Sequence, residues 1–291
     1  MAADLATSRW PASMADTIGR MTQHVAHLPH RSLRYFDAGA GRPLLLLHAF
    51  PLSADQWLPQ LHRVPPGWRC LAPDLRGFRG VGAAFEDPGL SGLAIDDYAD
   101  DVLVLMTHLD VERAVVAGVS MGGYVAFGLL RRAPARVTGL ILANTRATPD
   151  TDEGRAGRDT MIALAQAEGV GAVAEAMVPK LLGETTRREQ PDLIDALRRL
   201  VVVNSVDGVA AGLGAIKTRP DSTPLLGAIG CPTLIVAGEE DVIIRLDEAE
   251  AMHGAIAGSS LVTLPRVGHL SNLEAPPAFN RAVQTFLESL N

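Results

Sequence analysis

The sequence contains few cysteines and few aromatic residues. Of its 291 residues only two are cysteines, Cys70 and Cys231, and each stands in an apolar stretch. Two thiols are too few for a disulfide framework or for a four-cysteine zinc site. We therefore expect buried free thiols, a cytoplasmic protein and no bound metal. We expect no other cofactor, because the run from Gly77 to Gly82 lacks the order of a dinucleotide-binding fingerprint.

Basic residues are also too few to give the chain a positive field. Lysine and arginine together number 26 against 33 acidic residues, and the formal net charge is −7. Nucleic acids and anionic lipid surfaces bind proteins chiefly through clustered positive charge. We expect a small-molecule substrate, with no nucleic acid and no membrane as partner, and the composition leaves the oligomeric state open.

Long hydrophobic runs are missing as well. The run from Leu44 to Leu47 has the length of a strand, whereas about 20 apolar residues are needed to span a bilayer. Residues 1–30 contain no apolar stretch of the length that a signal peptide needs, and we expect them to form a loose N-terminal arm. His24, His27 and His30 recur every three residues in this arm, a spacing that we interpret as incidental.

What the sequence does contain is an alternation of short apolar runs with longer amphipathic stretches. This pattern predicts an α/β fold with a mostly parallel sheet. The glycines of the turn 37–41 predict an opening hairpin between strands over 32–36 and 43–48. The other predicted strands are 68–72, 114–118, 137–143, 233–238 and 261–264, and the predicted helices are 95–109, 121–132, 247–257 and 277–290.

The alternation stops between residues 146 and 223. This segment reads as about four consecutive helices, broken at Gly169, Pro179, Pro191 and Gly208. We interpret it as a helical cap inserted into a core formed by residues 31–145 and 224–291.

A motif for a nucleophilic serine lies between a predicted strand and a predicted helix. Gly118-Val119-Ser120-Met121-Gly122 fits the pattern G-x-S-x-G. A serine on so sharp a turn has strained backbone dihedrals, and the residues two before and two after it have no room for a Cβ. The motif nominates Ser120 as the nucleophile.

A serine hydroxyl needs a base, and the base needs an acidic partner to hold it in place. His269 and Asp241 each follow a predicted strand, at the sheet edge where α/β proteins collect functional groups. The order Ser120, Asp241, His269 is that of nucleophile, acid and base in α/β hydrolases. Glu239 and Glu240 are rival acids, and we favour Asp241.

Several segments together resemble the α/β-hydrolase superfamily. They are Leu47 to Pro51, Ala72 to Gly77, Gly118 to Gly123, Gly238 to Asp241 and Gly268 to Glu274. From about residue 32 to residue 290 the chain is similar to the capped, lipase-like branch that includes carboxylesterases and 3-oxoadipate enol-lactonases. The branches that use an aspartate nucleophile are disfavoured, because this chain has a serine there.

The resemblance implies an oxyanion hole formed by the N–H groups of Phe50 and Met121. Members commonly have glycine after the histidine of the first of these segments, whereas Ala49 follows His48 here. We expect His48 to orient this loop through a hydrogen bond. Asp74 and Arg76 are expected to brace a loop, either as an ion pair or in a turn. The low aromatic content suggests an aliphatic pocket, for which Trp57, Met161 and Met177 are our candidate substrate contacts.

The sequence thus predicts a serine hydrolase that cleaves carboxylic esters or lactones through an acyl-enzyme. Three alternatives remain open: an activity specific to 3-oxoadipate enol-lactone, a cofactor-free perhydrolase activity, and a ligand receptor with slow turnover on the same fold. The sequence does not define the length of the substrate or the enantioselectivity.

Overall fold

The computed structural model describes residues 21–29, 31–79 and 89–290. Eight strands form one sheet in the order β1-β2-β4-β3-β5-β6-β7-β8. The strands are β1 Met21–Leu28, β2 Arg31–Gly39, β3 Arg42–Leu47, β4 Trp68–Pro73, β5 Ala114–Val119, β6 Val137–Ala143, β7 Thr233–Gly238 and β8 Ser260–Leu264. β4, β3 and β5 to β8 run parallel, and β2 is antiparallel to both β1 and β4. The predicted α/β class with a mostly parallel sheet is confirmed.

Helices connect and flank these strands. They are α1 Leu58–Leu61, α2 Ile95–His108, α3 Met121–Arg132, α4 Asp152–Glu168, α5 Val170–Leu181, α6 Glu184–Glu189, α7 Pro191–Val202, α8 Val206–Lys217, α9 Leu246–Ala255, α10 Ser271–Glu274 and α11 Pro276–Glu288. Every residue of β5 and β7 is buried. Their sequences are accordingly continuous apolar runs, as expected for parallel strands covered on both faces.

The predicted opening hairpin is wrong. The turn lies where the glycines place it, but β2 and β3 do not pair, because β4 lies between them and bonds to both. Part of the expected N-terminal arm also requires correction: residues 21–28 form β1, which pairs with β2 from Met21 to Leu28. Only Ala26 and Leu28 of this edge strand are buried, with the exposed His27 between them, and its first four residues have no buried side chain. Residues 1–20 and His30 lie outside the described residues.

Between β6 and β7 the chain forms five helices, α4 to α8, which we call the helical insertion (residues 152–217). Gly169 separates α4 from α5 at a φ of +83°, and Pro191 begins α7, both as predicted. Pro179 and Gly208 do not break helices. Pro179 lies within the last turn of α5. Gly208 lies inside α8, where a Cβ would sit 1.8 Å from the carbonyl oxygen of Gly77, so its role is a close contact between backbones.

Neither a single membrane span nor a metal-binding group is found in the described part of the chain. No helix there is by itself long and apolar enough to cross a bilayer; only α7 and α8 taken together, bent by 98°, reach that length and composition. Within the same residues no group of three or more His, Cys, Asp or Glu side chains could hold a metal ion.

Candidate active site

Ser120 occupies a turn between β5 and α3 that only small neighbours permit. Its φ of 53° and ψ of −114° lie outside the usual regions for a non-glycine residue. A Cβ on Gly118 would sit 2.3 Å from the carbonyl carbon of Gly122, and one on Gly122 would sit 2.1 Å from the carbonyl oxygen of Leu47. The Ser120 hydroxyl makes no capping bond to α3. The turn therefore holds the hydroxyl away from its own helix.

The structure brings together the three side chains that the sequence nominated. Ser120 Oγ lies 2.8 Å from Nε2 of His269, and Nδ1 of the same ring lies 2.8 Å from Oδ2 of Asp241. The three residues follow β5, β8 and β7 and are all buried. Ends of parallel strands meet at one edge of the sheet, which explains how residues 149 positions apart can share a hydrogen bond.

The Asp241 carboxylate is surrounded by hydrogen-bond donors. Its Oδ1 accepts the backbone N–H groups of Ile243 and Ile244, each at 2.9 Å, and its Oδ2 also accepts the side-chain amide of Asn144 at 3.0 Å. Burial alone would raise the pKa of Asp241, but the nearby His269 and these donors lower it below its ordinary value. An ionised Asp241 fixes the imidazole with Nδ1–H donating to it, which leaves Nε2 free to accept the Ser120 proton.

The rival acids have other positions. Glu239 is exposed. Glu240 accepts hydrogen bonds from the backbone N–H of Thr185 at 2.7 Å and from its hydroxyl at 2.6 Å, and these bonds lower the pKa of Glu240. Glu240 thus anchors the helical insertion, and Asp241 is the acid beside His269.

Asn144 was missed by the sequence analysis. It follows β6, the strand between β5 and β7, and its φ of 47° is unusual for a residue other than glycine. Its amide donates both to Asp241 and to the carbonyl of Gly268, each at 3.0 Å. A search for polar residues at the ends of all strands in the sheet centre would have found it.

Phe50 and Met121, the residues predicted to form an oxyanion hole, follow neighbouring strands. Met121 is the first residue of α3, so its N–H has no carbonyl one helical turn before it. Phe50 follows β3, which pairs with β5 through Leu47 and Gly118. The loop before Phe50 is fixed, because Ala49 N–H donates to Gln56 Oε1 at 2.7 Å. The oxyanion role of the two N–H groups stays a prediction.

His48 is fully buried and bonded to backbone on both ring nitrogens. Nδ1 lies 2.9 Å from the Ala49 carbonyl oxygen, and Nε2 accepts the N–H of Leu75 at 2.9 Å. The pKa of His48 is lowered to about 4, chiefly by burial; the hydrogen bond to the Ala49 carbonyl opposes this shift and the charge of Arg34 adds to it. His48 is therefore a neutral structural group that ties the Phe50 loop to the loop after β4.

Asp74 and Arg76 brace this region, but not with each other. The Asp74 carboxylate pairs with the buried guanidinium of Arg34 and also accepts the N–H of Ala54 at 2.8 Å. Arg76 pairs with Asp101 of α2 at 2.7 Å. Each residue thus has the predicted structural role with a different partner from the one expected.

The three candidate substrate contacts lie on three different elements of the fold. Trp57 is 1% exposed and packs against Phe279 of α11, where it lines a cavity of about 740 Å³ between β3, α1 and α11. Ser120, Asp241 and His269 are absent from the lining of this cavity, so its position does not support contact of Trp57 with substrate. Met161 on α4 and Met177 on α5 are half-buried against the core. Their predicted contact with substrate stays a prediction.

Comparison with known proteins agrees with this geometry. A family model described as the alpha/beta hydrolase fold matches residues 42–276. The chain belongs to the α/β-hydrolase fold family. Its predicted resemblance to that superfamily is confirmed.

Among solved structures of α/β hydrolases, a thermophilic esterase from Thermogutta terrifontis is 36% identical with a TM-score of 0.85, over 92% of this chain and 99% of that one. The enol-lactonase from Burkholderia xenovorans LB400 is 28% identical with a TM-score of 0.81, over 91% and 100%. By sequence, 3-oxoadipate enol-lactonase 2 from Acinetobacter baylyi is 26% identical over 89% of this chain and 94% of its own length. This α/β hydrolase therefore has esterases and lactonases as relatives over nearly its whole length.

Proposed function

We propose that this α/β hydrolase cleaves carboxylic esters or lactones through an acyl-enzyme on Ser120. The observation that carries the proposal is the hydrogen-bond chain Ser120–His269–Asp241, with 2.8 Å at each link. A serine hydroxyl becomes a competent nucleophile when a fixed neutral imidazole can take its proton. The strained turn at Ser120 presents the hydroxyl to His269, and the buried carboxylate of Asp241 fixes the imidazole ring.

In the first half of the proposed reaction Ser120 Oγ attacks the carbonyl carbon of the ester while its proton passes to His269 Nε2. The carbonyl oxygen becomes an oxyanion, for which the N–H groups of Phe50 and Met121 are the proposed donors; loss of one such donor typically lowers kcat about 10²–10³-fold. Collapse of the intermediate breaks the bond to the alkoxide, and His269 gives that alkoxide the proton.

In the second half a water molecule attacks the acyl group. His269 takes one proton from the water, the new C–O bond forms, and the bond to Ser120 breaks as His269 returns the proton to Oγ. Asp241 remains ionised in both halves and stabilises the imidazolium that forms twice. In a lactone the alkoxide stays attached to the acyl group, so the product is one hydroxy acid.

The relatives support an ester or lactone as the substrate. One is named an esterase and two are named enol-lactonases, at identities between 26% and 36%. We keep the cytoplasm as part of the proposal, because Cys70 and Cys231 are free thiols that suit a reducing compartment.

The test is the kinetics of p-nitrophenyl esters of increasing acyl length, with a panel of small lactones beside them. We expect a burst of product, sustained turnover and an acyl adduct on Ser120 by mass spectrometry. Ser120→Ala should abolish all three, whereas Ser289→Ala, at an exposed site in the C-terminal turn, should change none of them. Activity retained in Ser120→Ala would overturn the covalent mechanism. One burst with no turnover would favour the receptor alternative.

A further inference from the structure

A buried glutamate lies beside the catalytic histidine but touches none of the proposed reacting atoms. Glu274, at the end of α10, is 5% exposed. Its Oε2 accepts the N–H of Gly183 at 2.8 Å and of Gly268 at 3.0 Å, and its Oε1 accepts the N–H of Leu270 at 3.0 Å. Gly268 and Leu270 are the residues on either side of His269, so one carboxylate holds the backbone at both ends of that residue.

The third donor comes from the helical insertion. Gly183 lies between α5 and α6, and its backbone is pressed against that of Gly268: a Cβ on Gly268 would sit 2.1 Å from the Gly183 nitrogen. A Cβ on Gly183 would likewise sit 2.8 Å from the Gly268 nitrogen. Only two glycines can approach so closely, and this approach lets one oxygen of Glu274 receive both N–H groups.

We propose that Glu274 is a positioning residue for His269, and that through Gly183 it makes the placement of His269 depend on the placement of the helical insertion. The proposal rests on the function proposed above. Charge-assisted bonds to backbone N–H groups are among the stronger hydrogen bonds in proteins, and three of them converge here. Small displacements of a catalytic base lower kcat steeply, and a shift of 1 Å can cost about 10²-fold.

The carboxylate form of Glu274 is the form that accepts all three bonds. Burial raises the pKa of Glu274 above its ordinary value, although the hydrogen bonds from Gly183, Thr186, Gly268 and Leu270 act in the opposite direction. The titratable groups on the segments bonded to this carboxylate are His269, which lies between Gly268 and Leu270 and bonds Asp241, and Glu240, whose carboxylate lies beside Gly183. Acidification should therefore protonate Glu274 at a higher pH than an ordinary glutamate and weaken its hold on His269.

The experiment compares three variants and the wild type over a range of pH. Glu274→Gln retains the size of the side chain but turns an NH₂ group toward backbone donors, and we expect kcat to fall about 10- to 100-fold with KM nearly unchanged. Glu274→Asp keeps the charge and should recover part of the loss. Glu240→Gln is the matched control, since Glu240 anchors the same insertion at Thr185 without bonding the residues beside His269. It should keep kcat within about twofold of the wild type.

The acid limb of the pH profile separates positioning from a general structural role. Because the ionised form of Glu274 accepts the three backbone bonds, acidification should lower the kcat of the wild type more steeply than the kcat of Glu274→Gln. Acid limbs of equal slope in the two proteins would overturn the proposal. An unchanged kcat in folded Glu274→Gln, with Ser120→Ala inactive, would overturn it while leaving the proposed function intact.

A measurement that needs no turnover separates failure of the proposed ester or lactone hydrolysis from failure of the proposed role of Glu274. The ¹⁵N resonances of the His269 ring, assigned with His269→Ala, report the bond to Asp241 whether or not any ester is cleaved. We expect them to shift in Glu274→Gln and to remain in place in Glu240→Gln. If wild-type protein has no turnover, the proposed function fails, and unshifted His269 resonances in Glu274→Gln would then also overturn the positioning role.

Discussion

Two loops of this hydrolase each carry a fully buried histidine with both ring nitrogens hydrogen-bonded. His48 follows β3 and is held by backbone, between the carbonyl of Ala49 and the N–H of Leu75. His269 follows β8 and is held by side chains, between Asp241 and Ser120. Burial and position at the end of a strand are the same in both cases.

The difference in partners decides what each ring can do. An imidazole that gains a proton becomes a cation, and burial opposes that charge unless an anion lies beside it. His269 has the anion of Asp241 on Nδ1 and a hydroxyl proton on Nε2. His48 has no carboxylate and no hydroxyl bonded to its ring, and its Nε2 already accepts a hydrogen bond from the backbone N–H of Leu75. Burial alone therefore does not let a histidine take up a proton, whereas a carboxylate bonded to the ring stabilises the cation that would form.

Of the tests that compare the two histidines, removal of the Asp241 carboxylate should have the largest effect on activity. Asp241→Asn keeps the size of the side chain but lets the ring adopt the wrong tautomer, and we expect kcat for the best ester to fall about 10⁴-fold. Steady-state kinetics at pH 7 and above measure it. Glu240→Gln is the control. If the loss appeared in Glu240→Gln instead, the acid would be misassigned and the contrast between the two histidines would fail.

The second test titrates His48. The pKa is about 4 in the folded chain and near 6.5 when unfolded. Above pH 6.5 neither state takes up the proton. Between 6.5 and 4 only the unfolded chain does so, and the free energy of unfolding should decrease by about 3 kcal/mol over this range.

Urea unfolding at several pH values measures this loss in the wild type and in His48→Gln. We expect the variant to be less stable at pH 7 and to show a pH dependence that is shallower by one proton between pH 4 and 6.5. Equal slopes in the two proteins would mean that His48 takes up its proton at the same pH in the folded and unfolded states, so that burial does not keep its ring neutral.

The smallest effect concerns the spacing between the His48 loop and the Ser120 turn. Gly122→Ala would place a Cβ 2.1 Å from the carbonyl oxygen of Leu47, the residue before His48. We expect a loss of about 1–3 kcal/mol in stability together with lower kcat. Gly157→Ala in α4, where nothing lies within 4 Å of the added carbon, should instead gain about 0.5–1 kcal/mol. Equal stability of the two variants would contradict the close contact.

The parts of the fold that local sequence determines were predicted well. The helix Met121–Arg132 and the strands Val137–Ala143 and Thr233–Gly238 have the predicted boundaries, because their apolar residues follow the spacing of a helix or form short continuous runs. The hairpin prediction failed because turn chemistry shows where a chain reverses but not which strand pairs with it. Strand β4 comes from 30 residues further along and occupies the place beside β2.

The residues of the candidate site also separate into those that the sequence could predict and those that it could not. Ser120, Asp241 and His269 could be predicted, since each follows a strand of the sheet and the order along the chain is informative. Trp57 packs against Phe279 beside a separate cavity, and the sequence could not predict this position because an aromatic residue near a nominated loop does not reveal which side of the loop it packs on. The bonds of Asn144 reach residues 97 and 124 positions away, and the bond from Gly183 to Glu274 spans 91 positions, so no local pattern encodes these contacts.

The glycine contact between the helical insertion and the His269 loop has a consequence for engineering this enzyme. The insertion reaches the two loops of the site through short contacts: Gly183 at the His269 loop, and Asn204, whose amide donates to the Pro51 carbonyl at 2.8 Å. A foreign insertion that retains a glycine and an asparagine at these two points could be grafted onto this core. Such chimaeras would retain the bond from the Gly183 N–H to Glu274 and the bond from Asn204 to the Pro51 carbonyl, so the two loops would keep their anchors.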